Sequence, residues 1–148
     1  MRKSYKGKFS PKNVNKYLGD PTNIVWRSLW ERSVMVHLDL NTNVIGWSNE
    51  EIVIPYLSPV DNRWHRYFPD FFVRVKNKNN QIEAMVIEVK PKDQTKPPET
   101  PKRITPRYIN EVKTWGVNES KWKAAEQYCL DRNWKFLVVT EDNLFPKK

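Results

Sequence analysis

The amino-acid sequence predicts an α/β (α+β) fold in which a mixed central sheet is flanked by helices, within one domain of 148 residues. Three observations carry that expectation. Trp26, Leu29, Trp30, Val34 and Leu38 recur at helical spacing early in the chain. Three β-rich segments follow, "EEIVIPYLS", "WHRYFPDFFVRV" and "IEAMVIEVK", separated by turn-forming residues at 59–62 and 76–80. The chain then returns to helical composition before "WKFLVVT", an apolar run suited to a buried strand. A chain of this length holds one core and not two substantial ones.

Taken in order, the first element is a basic arm over residues 1–20, where Arg2, Lys3, Lys6, Lys8, Lys12 and Lys16 all precede the first acidic residue, Asp20. Six like charges with no acidic neighbour read as a solvated tail, leaving 21–148 as the folded domain. The first helix carries Ser28 and Glu31 at the S-x-x-E spacing of a capping box, in which Glu31 returns to the Ser28 backbone donor. The three β-rich segments then read as a meander. Residues 91–106, "PKDQTKPPETPKRITP", contain five prolines and four basic residues, too little backbone donor capacity for a regular element. This stretch is expected to be an exposed basic loop, either a plain connection or a flap that orders on nucleic acid. "RYINEVKTW" and "NESKWKAAEQYCLDRN" read as two further helices, the second with Trp122, Ala125 and Cys129 on one side.

Composition narrows the chemistry. Twenty-six Lys and Arg against 17 acidic residues leave a net charge of +9, which favours a polyanionic partner such as double-stranded DNA. One cysteine excludes an intrachain disulfide, and with two histidines a thiolate or imidazole zinc cage is not supported. No apolar run approaches the roughly 18 residues that span a bilayer, and the start lacks a secretory apolar segment. A soluble protein of a reducing cytoplasm is expected, with no membrane and no small-molecule cofactor.

The informative stretch is "MVIEVKPK". In a strand, alternate residues share a face, so Glu88 and Lys90 point the same way, roughly 7 Å apart, while Met85, Ile87 and Val89 point to the other side. "YFPDFF" interrupts its own strand at Pro69 and sets Asp70 among aromatic rings, where an unpaired carboxylate is costly to desolvate. If the strands of Asp70 and Glu88 are antiparallel neighbours, their carboxylates converge as hard oxygen ligands for Mg²⁺, or for Mn²⁺. Such a site suits phosphodiester hydrolysis in which a bound ion polarises the phosphate and its water, and Lys90 orients that water or offsets phosphorane charge. The plainer alternative is a same-face ion pair of Glu88 with Lys90 and a turn-capping Asp70. Glu31 has the same two readings, as a helix cap and as a further metal ligand; two oxygens can serve both.

Pro69-Asp70, followed after 17 residues by Glu88-Val89-Lys90, resembles the signature of the PD-(D/E)XK nuclease superfamily. The resemblance implies a restriction-endonuclease-like core, metal binding by Asp70 and Glu88 with the Val89 carbonyl, and assistance to the attacking water by Lys90. Glu31 matches a helix glutamate that joins the ligands in several branches. A closer likeness, through "YKGKFSPKNVNKYLGDPTNIVWRSLWE", "IPYLSPVDNRWHRYFPDFFVRVKNKNN" and "EVKPKDQTKPP", is to the head-completion nucleases of large contractile-tailed bacteriophages. It implies action on packaged DNA before head-tail joining, phage portal or neck proteins as partners, and residence in the host cytoplasm during assembly or in the virion.

Candidate DNA contacts are Lys3, Lys6 and Lys8 of the arm, Arg66 with Arg63 and Arg74 in the hairpin region, Lys92, Lys96, Lys102 and Arg103 of the loop, and Lys121 with Lys123 on the last helix. Solvated surface charge is the ordinary alternative for each. Trp26, Trp30, Trp122 and Trp134 are expected in the core; Trp64, beside the turn, is the better surface candidate, with packing still favoured. His65 falls on the opposite strand parity from Asp70 unless Pro69 introduces a bulge. His37 reads as a core or boundary residue with a local partner, and Cys129 as a small buried apolar group. Two other functions fit the same residues: a non-catalytic protein that binds a DNA end or portal, and a transposase or resolvase subunit with the same chemistry.

Overall fold

The computed structural model describes residues 6–144; Lys3 and the rest of 1–5, like 145–148, lie outside the described residues. The elements run β1 (Gly7–Phe9), β2 (Ile24–Trp26), α1 (Leu29–Leu40), β3 (Val44–Asn49), β4 (Ile54–Leu57), β5 (Trp64–Tyr67), β6 (Phe71–Lys76), β7 (Ile82–Val89), α2 (Pro106–Asp131), β8 (Lys135–Val139) and the short α3 (Glu141–Leu144). The central sheet has the order β3-β6-β7-β8, antiparallel except for the parallel β7–β8 pair. It is a mixed sheet with α1 and α2 packed on opposite faces, as expected from composition. The parallel pair needs a long crossover, and α2 supplies it.

Strand alternation divides the core. Phe71, Val73 and Ile87 face α1, where they bury Val34, Met35 and Leu38 together with Trp47. Phe72 and Val86 face α2 and meet Cys129. Ile54, Tyr56 and Tyr67 of the β4–β5 ribbon cover Ala125 farther along the same helix. Burial of these side chains contributes roughly 1.5–3 kcal/mol each before chain entropy is counted.

Three expectations about the elements change. The meander is not formed by the three β-rich segments: "EEIVIPYLS" pairs only with β5 as a separate ribbon, and the edge partner of β6 is "VIGWSN". Gly, Ser and Asn dilute the strand signal of β3, but Val44, Trp47, Ser48 and Asn49 are all buried there, so tertiary packing overrides local preference. Trp26 lies in β2 and not on the helix, because Ser28 caps α1: its Oγ accepts from the Glu31 N–H at 3.1 Å. The two late helices are one, since α2 runs unbroken for 26 residues, with Gly116 tolerated inside it.

The arm is also corrected where it is described. Gly7–Phe9 pairs antiparallel with Ile24–Trp26. Asp39, 2% exposed, accepts the N–H groups of Lys12 and Asn13 at 2.8 and 3.0 Å. The Lys16 Nζ donates to the carbonyls of Asp39 and Asn41 at 2.9 and 2.6 Å, satisfying the carboxyl end of α1. Asp39→Ala is therefore expected to lower stability by about 2–3 kcal/mol, since two backbone donors lose a charged partner. Urea unfolding checks this; a loss below about 0.5 kcal/mol would place the segment among ordinary surface positions.

Candidate active site

Phe71 pairs with Ile87, which sets Asp70 across from Glu88 at the end of the β6–β7 ladder. The two residues interlock. The Asp70 N–H donates to Glu88 Oε1 at 3.3 Å, and the Val89 N–H donates to Asp70 Oδ2 at 2.8 Å. Glu88 is buried, so its charge is felt strongly by its neighbour. Burial, followed by the Glu88 carboxylate, pushes the Asp70 carboxyl far above the usual carboxylate range, against the opposing Val89 hydrogen bond.

Glu31 reaches the same place from the first turn of α1. One of its oxygens accepts the Arg27 N–H at 3.1 Å, so the capping return goes to Arg27 and not to Ser28. Burial raises the Glu31 pKa, with smaller contributions from Glu50 and Glu88. Glu50 is a residue the sequence reading missed. It directly follows β3 in the left-handed region, at φ 56°, a conformation that costs about 1–3 kcal/mol outside glycine and that collects at functional sites. Its N–H donates to the Asp70 carbonyl at 3.1 Å, and Asn49 Nδ2 donates to the same oxygen at 2.9 Å, so β3 fixes the Asp70 backbone. Arg27 holds the Glu50 carboxylate at 3.2 and 3.3 Å. The available signal is an acidic pair, Glu50-Glu51, directly after "VIGWSN", which the β-rich pattern of "EEIVIPYLS" draws into the next strand.

One carboxylate oxygen each from Glu31, Glu50 and Asp70 lies within 4.8 Å of the others. Hard oxygens at this spacing, with Glu88 behind them, match a small divalent cation: around Mg²⁺, ligands at about 2.1 Å stand roughly 3–4 Å apart, a modest side-chain adjustment away. Val89 contributes its N–H to Asp70. Lys90 directly follows β7, its N–H donating to the Val139 carbonyl at 2.9 Å, and its charge, like that of Glu88, is felt at Lys121 on α2.

On the α2 side, the Lys121 Nζ stands 5.5 Å from the centre of the Tyr67 ring and 5.7 Å from that of Tyr56. Lys121 is half-buried, and burial lowers its pKa; Glu88 and Asp70 oppose that shift while Lys90 adds to it. Tyr67 is buried, and its hydroxyl lies beside the Glu88 carboxylate. Burial raises its pKa above the normal phenol value, and the Glu88 charge raises it further.

The remaining predicted contacts are dispersed. Lys92 is not a free cation: its ammonium pairs with Asp142 at 2.9 Å and its N–H donates to Glu141 at 2.6 Å. Lys96 borders a cleft between the loop and α2 with Arg107 and Trp115, while Lys102 and Arg103 are exposed in the loop. Arg66 lies over the Phe68 ring on the outer face of the ribbon, and Lys6 and Lys8 are exposed near β1. Trp64 is 71% exposed, so the packing expectation for it does not hold. His65 bonds Asp61 at 2.7 Å and stacks on Tyr56, away from the carboxylates. His37 is exposed, with Asn41 as its local partner at 3.3 Å. Cys129 is buried and its thiol is pushed up to about 11, mainly by burial.

The head completion nuclease of Enterobacteria phage T4 is 41% identical over 145 residues, covering 95% of this chain and 94% of that protein. The family described as TnsA-like endonuclease N terminal matches residues 41–141, a span that runs from the turn before β3 to the start of α3 and includes Glu50, Asp70, Glu88 and Lys90. The chain belongs to the TnsA-like endonuclease family.

Proposed function

We propose that this chain is a metal-dependent DNA nuclease that hydrolyses phosphodiester bonds of packaged double-stranded DNA during phage head completion, before the tail joins. The single observation that carries the reading is the interlocked Asp70–Glu88 pair, with Glu31 and Glu50 beside it. The likeness to a head completion nuclease supports the biological setting. Portal or neck proteins are the proposed protein partners, in the host cytoplasm or in the virion.

Asp70, Glu88 and Glu31, joined by Glu50, would hold the cation. Mg²⁺, or Mn²⁺ in its place, supplies Lewis-acid polarisation of the phosphate and a more acidic water. Lys90 orients the attacking water and offsets charge on the phosphate. The Val89 N–H keeps Asp70 turned toward Glu88, and Arg27 holds Glu50 until a cation competes for its oxygens. Exposed Lys6, Lys8, Lys96, Lys102, Arg103 and Arg66 supply the diffuse positive field that draws in DNA. No helix among the described residues is long and apolar enough to cross a membrane.

The test is nicking and linearisation of supercoiled plasmid with Mg²⁺, with Mn²⁺ and with EDTA. Cleavage is expected with either ion and none with EDTA. Salt-sensitive DNA binding or portal-ring binding without cleavage under any ion would transfer the assignment to a non-catalytic DNA-end or portal-binding protein.

A further inference from the structure

We propose that Lys121 contacts the scissile phosphate itself: its ammonium, seated on the rings of Tyr56 and Tyr67, meets a non-bridging oxygen as negative charge builds there. The inference rests on the nuclease reading above and adds a second cation to it, from α2.

Three observations carry it. First, the cations around the acidic cluster are not equally available. Arg27 is bound to Glu50, and Lys92 is bound to Asp142. Lys121 makes no ion pair with a carboxylate among the described residues. Second, its position is set by ring faces, at 5.5 and 5.7 Å. A cation–π seat holds the charge in place without a carboxylate to neutralise it, and an ammonium carries three donors to offer to phosphate oxygens. Third, the ammonium is half-buried, and the charges of Glu88, Asp70 and Lys90 are all felt at it, in keeping with a seat on the ring that neighbours Glu88. The buried Tyr67 hydroxyl beneath it lies beside the Glu88 carboxylate, which ties this ring seat to the cluster.

A half-desolvated ammonium with no carboxylate partner is costly to keep. A phosphodiester oxygen would recover that cost, more fully as it gains charge in the transition state. The competing account is packing alone, in which the lysine stem covers two tyrosines and the head group only reaches for water. Lys121→Met keeps an apolar stem of similar length and removes only the charge, so it separates the two.

The experiment measures single-turnover cleavage of a short duplex at saturating protein with Mg²⁺, alongside anisotropy binding of the same duplex in EDTA and thermal melting. It compares the parent, Lys121→Met, Lys121→Gln and Lys121→Arg. Loss of one preorganised donor predicts a rate about 100-fold lower for the Met and Gln variants, with affinity in EDTA changed less than about threefold and part of the rate restored by Arg. Cleavage within threefold of the parent by either neutral variant that melts cooperatively overturns the proposal. So does a rate loss matched by an equal loss of affinity, which would make Lys121 an ordinary groove lysine. A parent that fails to cleave with any divalent ion overturns the nuclease reading first, and this inference with it.

Discussion

Glu88→Ala is expected to lower the DNA cleavage rate by at least about a thousandfold, with Lys90→Ala close behind. Glu88 occupies a buried position where one oxygen accepts the Asp70 N–H, so its loss would remove one proposed ligand and release the backbone of the other, Asp70. Because the two carboxylates act as one unit, Asp70→Ala is expected to cost about as much as Glu88→Ala, and the double variant little more. DNA binding in EDTA should survive, since the diffuse basic charge is elsewhere on the surface. Plasmid nicking at matched purity is the measurement. A Glu88→Ala protein that nicks at the parental rate would remove this cluster from the mechanism.

The same crowding predicts a stability profile. Asp70 and Glu31 both carry raised pKa values in the folded chain, for which burial is the largest cause. A raised carboxyl pKa means the folded state holds a proton that the unfolded state has already released, so its stability contribution is complete below about pH 4 and is lost as pH rises toward the folded values. The metal-free protein is thus expected to lose stability steadily from about pH 4 to pH 8, opposite to the usual salt-bridged carboxylate. Asp70→Asn keeps an oxygen for the Val89 N–H and removes the charge. In EDTA at pH 8 this variant should melt about 5–10 °C above the parent, and the difference should close near pH 4. Mg²⁺ should raise the parent's melting temperature more at pH 8 than at pH 5, because it competes with the proton for the same oxygens. A metal-free melting temperature that stays flat between pH 5 and pH 8 would contradict the proposed burial of negative charge.

These expectations draw on residues of unequal legibility. Asp70, Glu88 and Lys90 could be read from the sequence because each lies on or beside a strand with a strong apolar pattern, and a period of two fixes which neighbours share a face. Glu31 was legible at the start of the helix, where its N–H bonds Ser28 Oγ, but its carboxylate turns to Arg27 and the cluster and not back to Ser28. Glu50 was not legible, because its role depends on β3 taking the edge beside β6, and "VIGWSN" has little local strand signal to announce that pairing. Lys121 could be named only as one basic residue among several; the ring faces beneath it come from β4 and β5, more than 50 residues earlier in the chain.

By itself the sequence determined the fold class, the two motif-bearing strands, the buried Cys129 and the excess of positive charge, all set by short-range periodicity and composition. Tertiary structure alone decided that Lys12, Asn13 and Lys16 bond the carboxyl end of α1, that the late helix is continuous, and that four acidic side chains from four separate segments meet. Such convergence depends on which strands become neighbours, and pairing is chosen by the burial of both sheet faces at once. No local pattern records that choice.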